Sequence, residues 1–203
     1  MSDKEDEDVR VSLPDGAFLD RAADALFASR TVLVFGEVNT KLARTVTAQL
    51  VALAASGDAP IRMIVHSPGG HVEAGDTIHD AIRAIAPSVT MIGTGWVASA
   101  GALIYAAARR ENRYAFPNTR FLLHQPLGGM GGRAADIEIE ANQIVLMRER
   151  LNRIFARATG QPYEKIVHDT DRNFWMTASQ AVEYGLVHRV VETFADVGLP
   201  MRG

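Results

Sequence analysis

The sequence predicts an α/β domain built from repeated strand-helix units. Three observations carry that reading. Short β-branched or aliphatic runs alternate with helical periodicities. Each run is bounded by Gly, Pro or Asn. The 203 residues, 47% hydrophobic and 22% charged, suffice to bury one sizeable core and exclude a disordered chain.

Residues 1 to about 17 are polar and acidic, punctuated by Pro14 and Gly16, and are expected to form a flexible arm ahead of a folded domain at 18–203. Runs 31–35, 61–66, 89–93 and 121–124 are too short for helices and read as strands buried on both faces. Between the first two, Leu42, Val46, Leu50 and Leu53 mark one helical stripe; after the second, Ile78, Ile82 and Ile85 mark another. A glycine cluster at Gly128, Gly129, Gly131 and Gly132 then opens a long periodic segment, 133–158, carrying Ile137, Ile144, Leu151 and Ile154 among many charges. It stops at Gly160, with Pro162 beyond. A helix of about 25 residues is ~38 Å long at 1.5 Å per residue, more than a domain this size needs internally, so it either projects onto a neighbour or crosses the sheet surface. The charge run from Asp169 to Asn173, followed by Phe174 and Trp175, reads as a solvated loop between helical segments.

Charge and composition remove several function classes. The net charge of −3 is concentrated in the acidic first residues, which leaves a nearly neutral body with no electrostatic footprint for nucleic acid. Cysteine is absent, so disulfides, thiolate metal sites and cysteine nucleophiles are excluded. The longest apolar stretch, around 97–108, is broken by Ser99 and Gly101 and falls short of a membrane span. An acidic start without an apolar h-region is unlike a secretory leader, so a cytoplasmic location is expected.

Three segments carry chemistry. Ser67-Pro68-Gly69-Gly70 joins a strand to a helical pattern through a sharp turn with exposed amides. Such N–H groups can bind developing negative charge, although a tight turn alone also explains a Gly-Gly pair. Ser99 lies among Ala and Gly at a helix start, where its Oγ is unhindered and nearby N–H groups lack intrahelical partners. That suits a nucleophile, and equally suits an N-cap in a close-packed helix. The surrounding pattern is not the G-x-S-x-G elbow, so an α/β-hydrolase is not indicated. His124 ends a strand beside a flexible segment, a position for a general base or for a hydrogen-bonded surface histidine. His66, His71, His79, His168 and His188 have no spacing suited to a metal site and read as structural or exposed.

In order along the chain stand S-P-G-G-x-x-x-A-G at 67–75, G-x-x-A-S-x-G-A at 95–102, P-N-x-R-x-x-x-H-Q-P at 117–126 and A-x-x-Y-G-L-V at 181–187. This series resembles the ClpP family, the proteolytic subunits of the ATP-dependent Clp protease, over roughly residues 18–192. The resemblance implies a ClpP/crotonase-type core with a protruding handle at about 125–160, and heptameric rings stacked face to face around a chamber. It implies Ser99 as nucleophile, His124 as general base and the N–H groups of Gly70 and Ala100 as the oxyanion hole, working on peptides and unfolded proteins. Chain edges beside Gly69 and Leu127 would hold an extended peptide by strand addition. No metal or organic cofactor is expected; ATP would belong to an AAA+ unfoldase partner.

The chain departs from the family pattern in three places. The triad's acidic position falls on Asn173, whose amide can orient an imidazole but carries no charge to stabilise its protonated form. In chymotrypsin-type proteases the Asp-to-Asn change lowers kcat by ~10⁴, partly through the wrong tautomer, so low basal activity is expected here. Asp171 and Arg172 match the family's inter-ring ion-pair region and read first as assembly residues. The arm is short and acidic where the family carries an apolar axial loop, and Arg62 and Ile64 replace the tyrosines that often line the unfoldase-docking pocket. These gaps raise an alternative: a weakly active or inactive structural subunit that assembles with a conventional ClpP paralogue. A crotonase-like acyl-CoA enzyme would leave Ser99 and His124 surplus, and a membrane-bound peptidase lacks its span.

Overall fold

The computed structural model describes residues 16–126 and 133–198. Its first helix, α1 (Gly16–Ala28), starts inside the stretch read as an arm. Strand β1 (Thr31–Phe35), helix α2 (Thr40–Ala55), strand β2 (Ile61–Ser67), helix α3 (Val72–Ala84), strand β3 (Val89–Ala98) and helix α4 (Ala100–Tyr105) then repeat the strand-helix unit three times. Asn39 caps α2 by accepting the Leu42 N–H. Ala43, Val46, Leu50 and Leu53 of α2 and Ala74, Ile78 and Ile82 of α3 bury one stripe each against the sheet core.

Strands β1, β2, β3, β4 (Arg113–Ala115) and β7 (Arg189–Val190) form a parallel sheet in that order. Strand β3 outruns its predicted end. Its first half pairs with β2 and β4, and its last residues, Trp96–Ala98, pair with β5 (Arg120–Leu123). The bend lies at Gly95, whose φ of 55° and missing Cβ make room for the His66 ring; a Cβ there would lie 2.4 Å from Nδ1. The Trp96 N–H donates to that nitrogen at 3.2 Å, so His66 is a structural support of the bend.

Two expectations are corrected. Strand β1 is not buried on both faces: it is a sheet edge with Val32 and Val34 in the core, while Leu33 and Phe35 remain 38% and 48% exposed. Residues after the 169–173 charge run do not stay in a loop. Phe174–Thr177 forms β6, antiparallel to β5, because four residues with an aromatic and apolar majority find an open strand edge.

Helix α5 (Ala134–Thr159) is the predicted long helix, ended by Gly160 in the left-handed conformation. Only its C-terminal half enters the core, through Leu151, Ile154 and Phe155, whereas Ile137, Ile139, Val145 and Leu146 stay exposed. Residues 128–132 of the expected handle, and Leu127, lie outside the described residues. Helices α6 (Tyr163–Asp169) and α7 (Ala178–Tyr184) flank β6. No helix among the described residues is long and apolar enough to cross a membrane.

Candidate active site

Three parallel strands end side by side, and the residues that follow them meet. Gly69 and Gly70 follow β2, Ser99 follows β3, and His124 follows β5. Clefts at the carboxyl ends of parallel strands are the common ligand sites of α/β sheets. Here the cleft has a volume of about 530 Å³ and is lined by Gly70, Ser99 and His124, with Gln143, Ile144 and Met147 of α5 as one wall. Glu37, Glu73 and Glu140 add carboxylates to its lining.

Ser99 occupies the N-cap position of α4 but does not cap the helix through its side chain. Its backbone has φ 54° and ψ −120°, and its hydroxyl makes no capping hydrogen bond. A non-glycine residue held there stores about 1–3 kcal/mol of strain. The turn is over-determined by its neighbours. Ser99 N–H donates to Leu122 O at 2.9 Å, extending the β3–β5 ladder, and Leu103 N–H donates to Ser99 O at 3.1 Å. The small residues of this segment explain the fit: a Cβ on Gly101 would meet Ser67 Cβ at 3.0 Å, and one on Gly75 would meet Ala100 Cβ at 3.3 Å. Only small side chains let α4 seat between β2 and α3.

The Ser67-to-Gly70 turn presses on the same spot. Gly69 sits with φ 101°, where a Cβ would lie 2.6 Å from Ser99 Cβ. Gly70 pairs with Val38, whose carbonyl would be 2.2 Å from an added Cβ. Val38 N–H donates to Gly69 O, and His71 N–H donates to Val38 O, both at 2.8 Å. Ser67, given no role of its own by the sequence, fastens the turn. Fully buried, it donates through Oγ to Gly36 O at 2.6 Å and accepts Gly69 N–H at 3.1 Å. A hydroxyl residue directly before Pro-Gly-Gly, able to bond the turn's backbone, is the signal that marks it. Among the described residues, the Gly70 and Ala100 N–H groups have no acceptor. Unpaired backbone amides of this kind can receive an oxyanion.

His124 is half-buried, and that burial lowers its pKa from the ordinary histidine value, so the ring is neutral at neutral pH and able to take a proton. No hydrogen bond joins Ser99 Oγ to the ring; the two share the cleft without closing on each other. Asn173 immediately precedes β6, and the β5–β6 register ends with Leu123 paired to Phe174, so His124 and Asn173 each flank the last pair of that ladder. The Asn173 side chain is exposed, lines a separate surface hollow with Asp171 and Arg172, and makes no hydrogen bond to the imidazole. Gln125 binds the two strands together, donating from its N–H to Thr170 O at 2.8 Å and from Nε2 to Asp171 O at 2.9 Å. Asp171 itself faces Arg148 and Arg172, each at 3.9 Å, in exposed ion pairs. Among the described residues, no group of three His, Asp or Glu side chains is placed to hold a metal ion.

Comparison with known proteins follows the same residues. The Clp protease family model matches residues 15–194. The chain is 57% identical over 198 residues to ATP-dependent Clp protease proteolytic subunit 3 of Rhizobium etli, spanning 97% of this chain and 100% of that one. It is 62% identical over 175 residues to proteolytic subunit 2 of Gluconobacter oxydans, spanning 85% and 78%. Among solved structures it is similar to ClpP1 from Listeria monocytogenes, with a TM-score of 0.77 at 50% identity, covering 85% of this chain and 96% of that one. An asparagine-to-aspartate mutant of the same ClpP1 matches with a TM-score of 0.80 at 51% identity and the same coverage.

Proposed function

The chain belongs to the Clp protease family, whose members are serine peptidases, and from that premise we propose that it is a serine endopeptidase subunit cleaving peptides and unfolded proteins inside a ring chamber. The observation that carries the reading is that Ser99, His124 and Gly70, whose N–H has no acceptor, line one cleft, with Ala100 following Ser99 in the chain. A peptide laid along the cleft presents its carbonyl to Ser99 Oγ. His124 takes the hydroxyl proton as the Oγ–C bond forms, and the carbonyl oxygen, now negative, accepts from the Gly70 and Ala100 N–H groups. The tetrahedral adduct collapses as His124 returns the proton to the leaving amine, leaving an acyl group on Ser99. Water, deprotonated by the same ring, then releases the acid. Gly69 and Leu127 lie beside the cleft in sequence and would hold the substrate as an added strand.

Asn173 is assigned a positioning role: its amide oxygen accepts the second imidazole N–H once the β5–β6 end closes. Catalytic hydrogen bonds that are open in a free protein commonly tighten on binding. Asp171 and Arg172 are assigned to contacts between rings. Gln125 links the Asp171 backbone directly to the strand end that carries His124, so assembly and catalysis share one segment. We assign a double heptameric ring and an AAA+ unfoldase partner on the strength of family membership, in the cytoplasm.

One observation favours a second reading, a weakly active ring subunit that assembles with a conventional paralogue: the position that carries the family's triad acid holds an uncharged amide, Asn173. The two readings separate on one experiment. Size-exclusion with light scattering fixes the assembly, and a short fluorogenic peptide is then offered to wild type and Ser99→Ala. Hydrolysis by the assembled wild type, abolished by Ser99→Ala, supports the protease. Assembled protein that neither cleaves nor labels with a fluorophosphonate at Ser99 supports the structural subunit.

A further inference from the structure

Away from the Ser99 cleft, a second cavity of about 250 Å³ gathers five guanidinium groups. Arg83 comes from the end of α3, Arg109 and Arg110 from the turn after α4, Arg113 from β4 and Arg157 from the last turn of α5. No carboxylate lines the cavity, and among the described residues none of the five arginines forms an ion pair. The body of the chain is nearly neutral, so the cluster is not part of a generally basic surface.

Arg113 makes this more than a patch of surface charge. Its side chain is 1% exposed, its Nη2 donates to Ala158 O at the end of α5, and its Nε and Nη1 have no partner. A buried guanidinium with two unmet donors, beside four further arginines, is costly unless those donors find an acceptor. Burial lowers the Arg113 pKa to about 10, with Arg110 adding to the fall and Tyr105 and Glu111 opposing it, which still leaves Arg113 cationic at neutral pH. The planar guanidinium fork matches tetrahedral and carboxylate oxyanions, and several forks converging favour a multiply charged one. The volume lies below the ~300–1,000 Å³ typical of organic ligand sites, which selects a small anion.

We propose that this pocket binds a phosphate-class oxyanion, held by the buried fork of Arg113 and gathered by Arg83, Arg109, Arg110 and Arg157. Bound there, the anion joins the end of α3, the turn after α4 and the last turn of α5. The phosphoryl group is either free, as phosphate or pyrophosphate, or carried on a nucleotide.

The test is calorimetric titration of the assembled full chain, in chloride buffer at fixed ionic strength, with orthophosphate, pyrophosphate and ADP. Saturable binding of pyrophosphate at one site per chain, weakened about tenfold or more in Arg83→Gln/Arg157→Gln, supports the site. Both of those side chains are exposed, so the variant is expected to fold; Arg109→Gln is the second variant and is expected to weaken binding in the same direction. Tighter binding of ADP than of pyrophosphate would assign the phosphoryl group to a nucleotide, and the reverse to the free anion. No saturable heat up to millimolar pyrophosphate in the assembled protein overturns the proposal, because Arg113 is then satisfied by a neighbouring subunit or by water. Binding that is unchanged in both variants overturns it as well, since the anion then sits elsewhere.

Discussion

At Ser99 the backbone is held in a strained conformation. Its φ of 54° is tolerated cheaply by glycine and at a cost by serine, so Ser99→Gly is expected to raise stability by about 1 kcal/mol, a few degrees in Tm, while abolishing peptide hydrolysis. Ser99→Ala removes the hydroxyl but keeps the strain, and its melting point should stay near wild type in the same scan. A lower melting point for the glycine variant would show that the turn is relaxed. His124 supplies the pH dependence. Its pKa is lowered by burial, so the neutral, proton-accepting ring persists below the ordinary histidine range. The hydrolysis rate is expected to fall as pH drops through a value under 6.5, and stability falls in the same direction, because the unfolded chain binds that proton more readily than the folded one. A kinetic midpoint above 6.5 would contradict this. At Asn173, a carboxylate would both orient the imidazole and stabilise its protonated form, so Asn173→Asp is expected to raise kcat by one or more orders of magnitude with little change in KM. Asn173→Ala should lower it, and an unchanged rate in both variants would remove the residue from the mechanism.

At the scale of elements, the ends of β2, β3 and β5 form the site, and their close approach depends on missing side chains. Gly69→Ala places a Cβ against Ser99 Cβ and the Ala98 carbonyl at a φ that disfavours it, with an expected loss of about 1–3 kcal/mol and of hydrolysis together. Thermal unfolding and peptide turnover measured on that variant check both parts. Much of this arrangement was legible in the sequence. The stripes of α2 and α3, the long α5 and four strand positions follow from periodicity, since each element buries one face at a fixed spacing. That Gly70, Ser99 and His124 would share one site came from the family resemblance carried by the four ordered motifs, and the three line one cleft. What stayed hidden depends on pairing across the chain. β4 and β7 are too short to show a period, and β6 lies behind a charge run. The second half of β3 continues past Gly93 only because the His66 ring fills the space beside Gly95. The arginine cavity was invisible for the same reason: its members are spread from residue 83 to 157 and meet only when α3, β4 and α5 pack.

For the whole molecule, the projecting half of α5 is the unbalanced feature. Ile137, Ile139, Val145 and Leu146 are all more than two-fifths exposed, on a helix whose C-terminal half is anchored in the core. Apolar side chains gathered on a projecting helix mark a surface that another chain covers. The same helix lines the Ser99 cleft through Gln143, Ile144 and Met147, and Arg150 fixes it to α3 by a paired contact with Asp76. Covering the exposed half is expected to order one wall of the cleft, so that assembly and turnover rise and fall together. Ile139→Glu/Leu146→Glu is expected to give smaller particles in light scattering and a large loss of peptide hydrolysis, without lowering the unfolding temperature of the isolated subunit. Salt should distinguish this contact from the one at Asp171 and Arg172. High ionic strength weakens exposed ion pairs but not apolar burial, so particles held by α5 persist at molar salt while those held mainly by Asp171 and Arg172 dissociate. A double-glutamate variant that keeps both its mass and its activity would place the ring contact on another surface and break the link between α5 and the cleft.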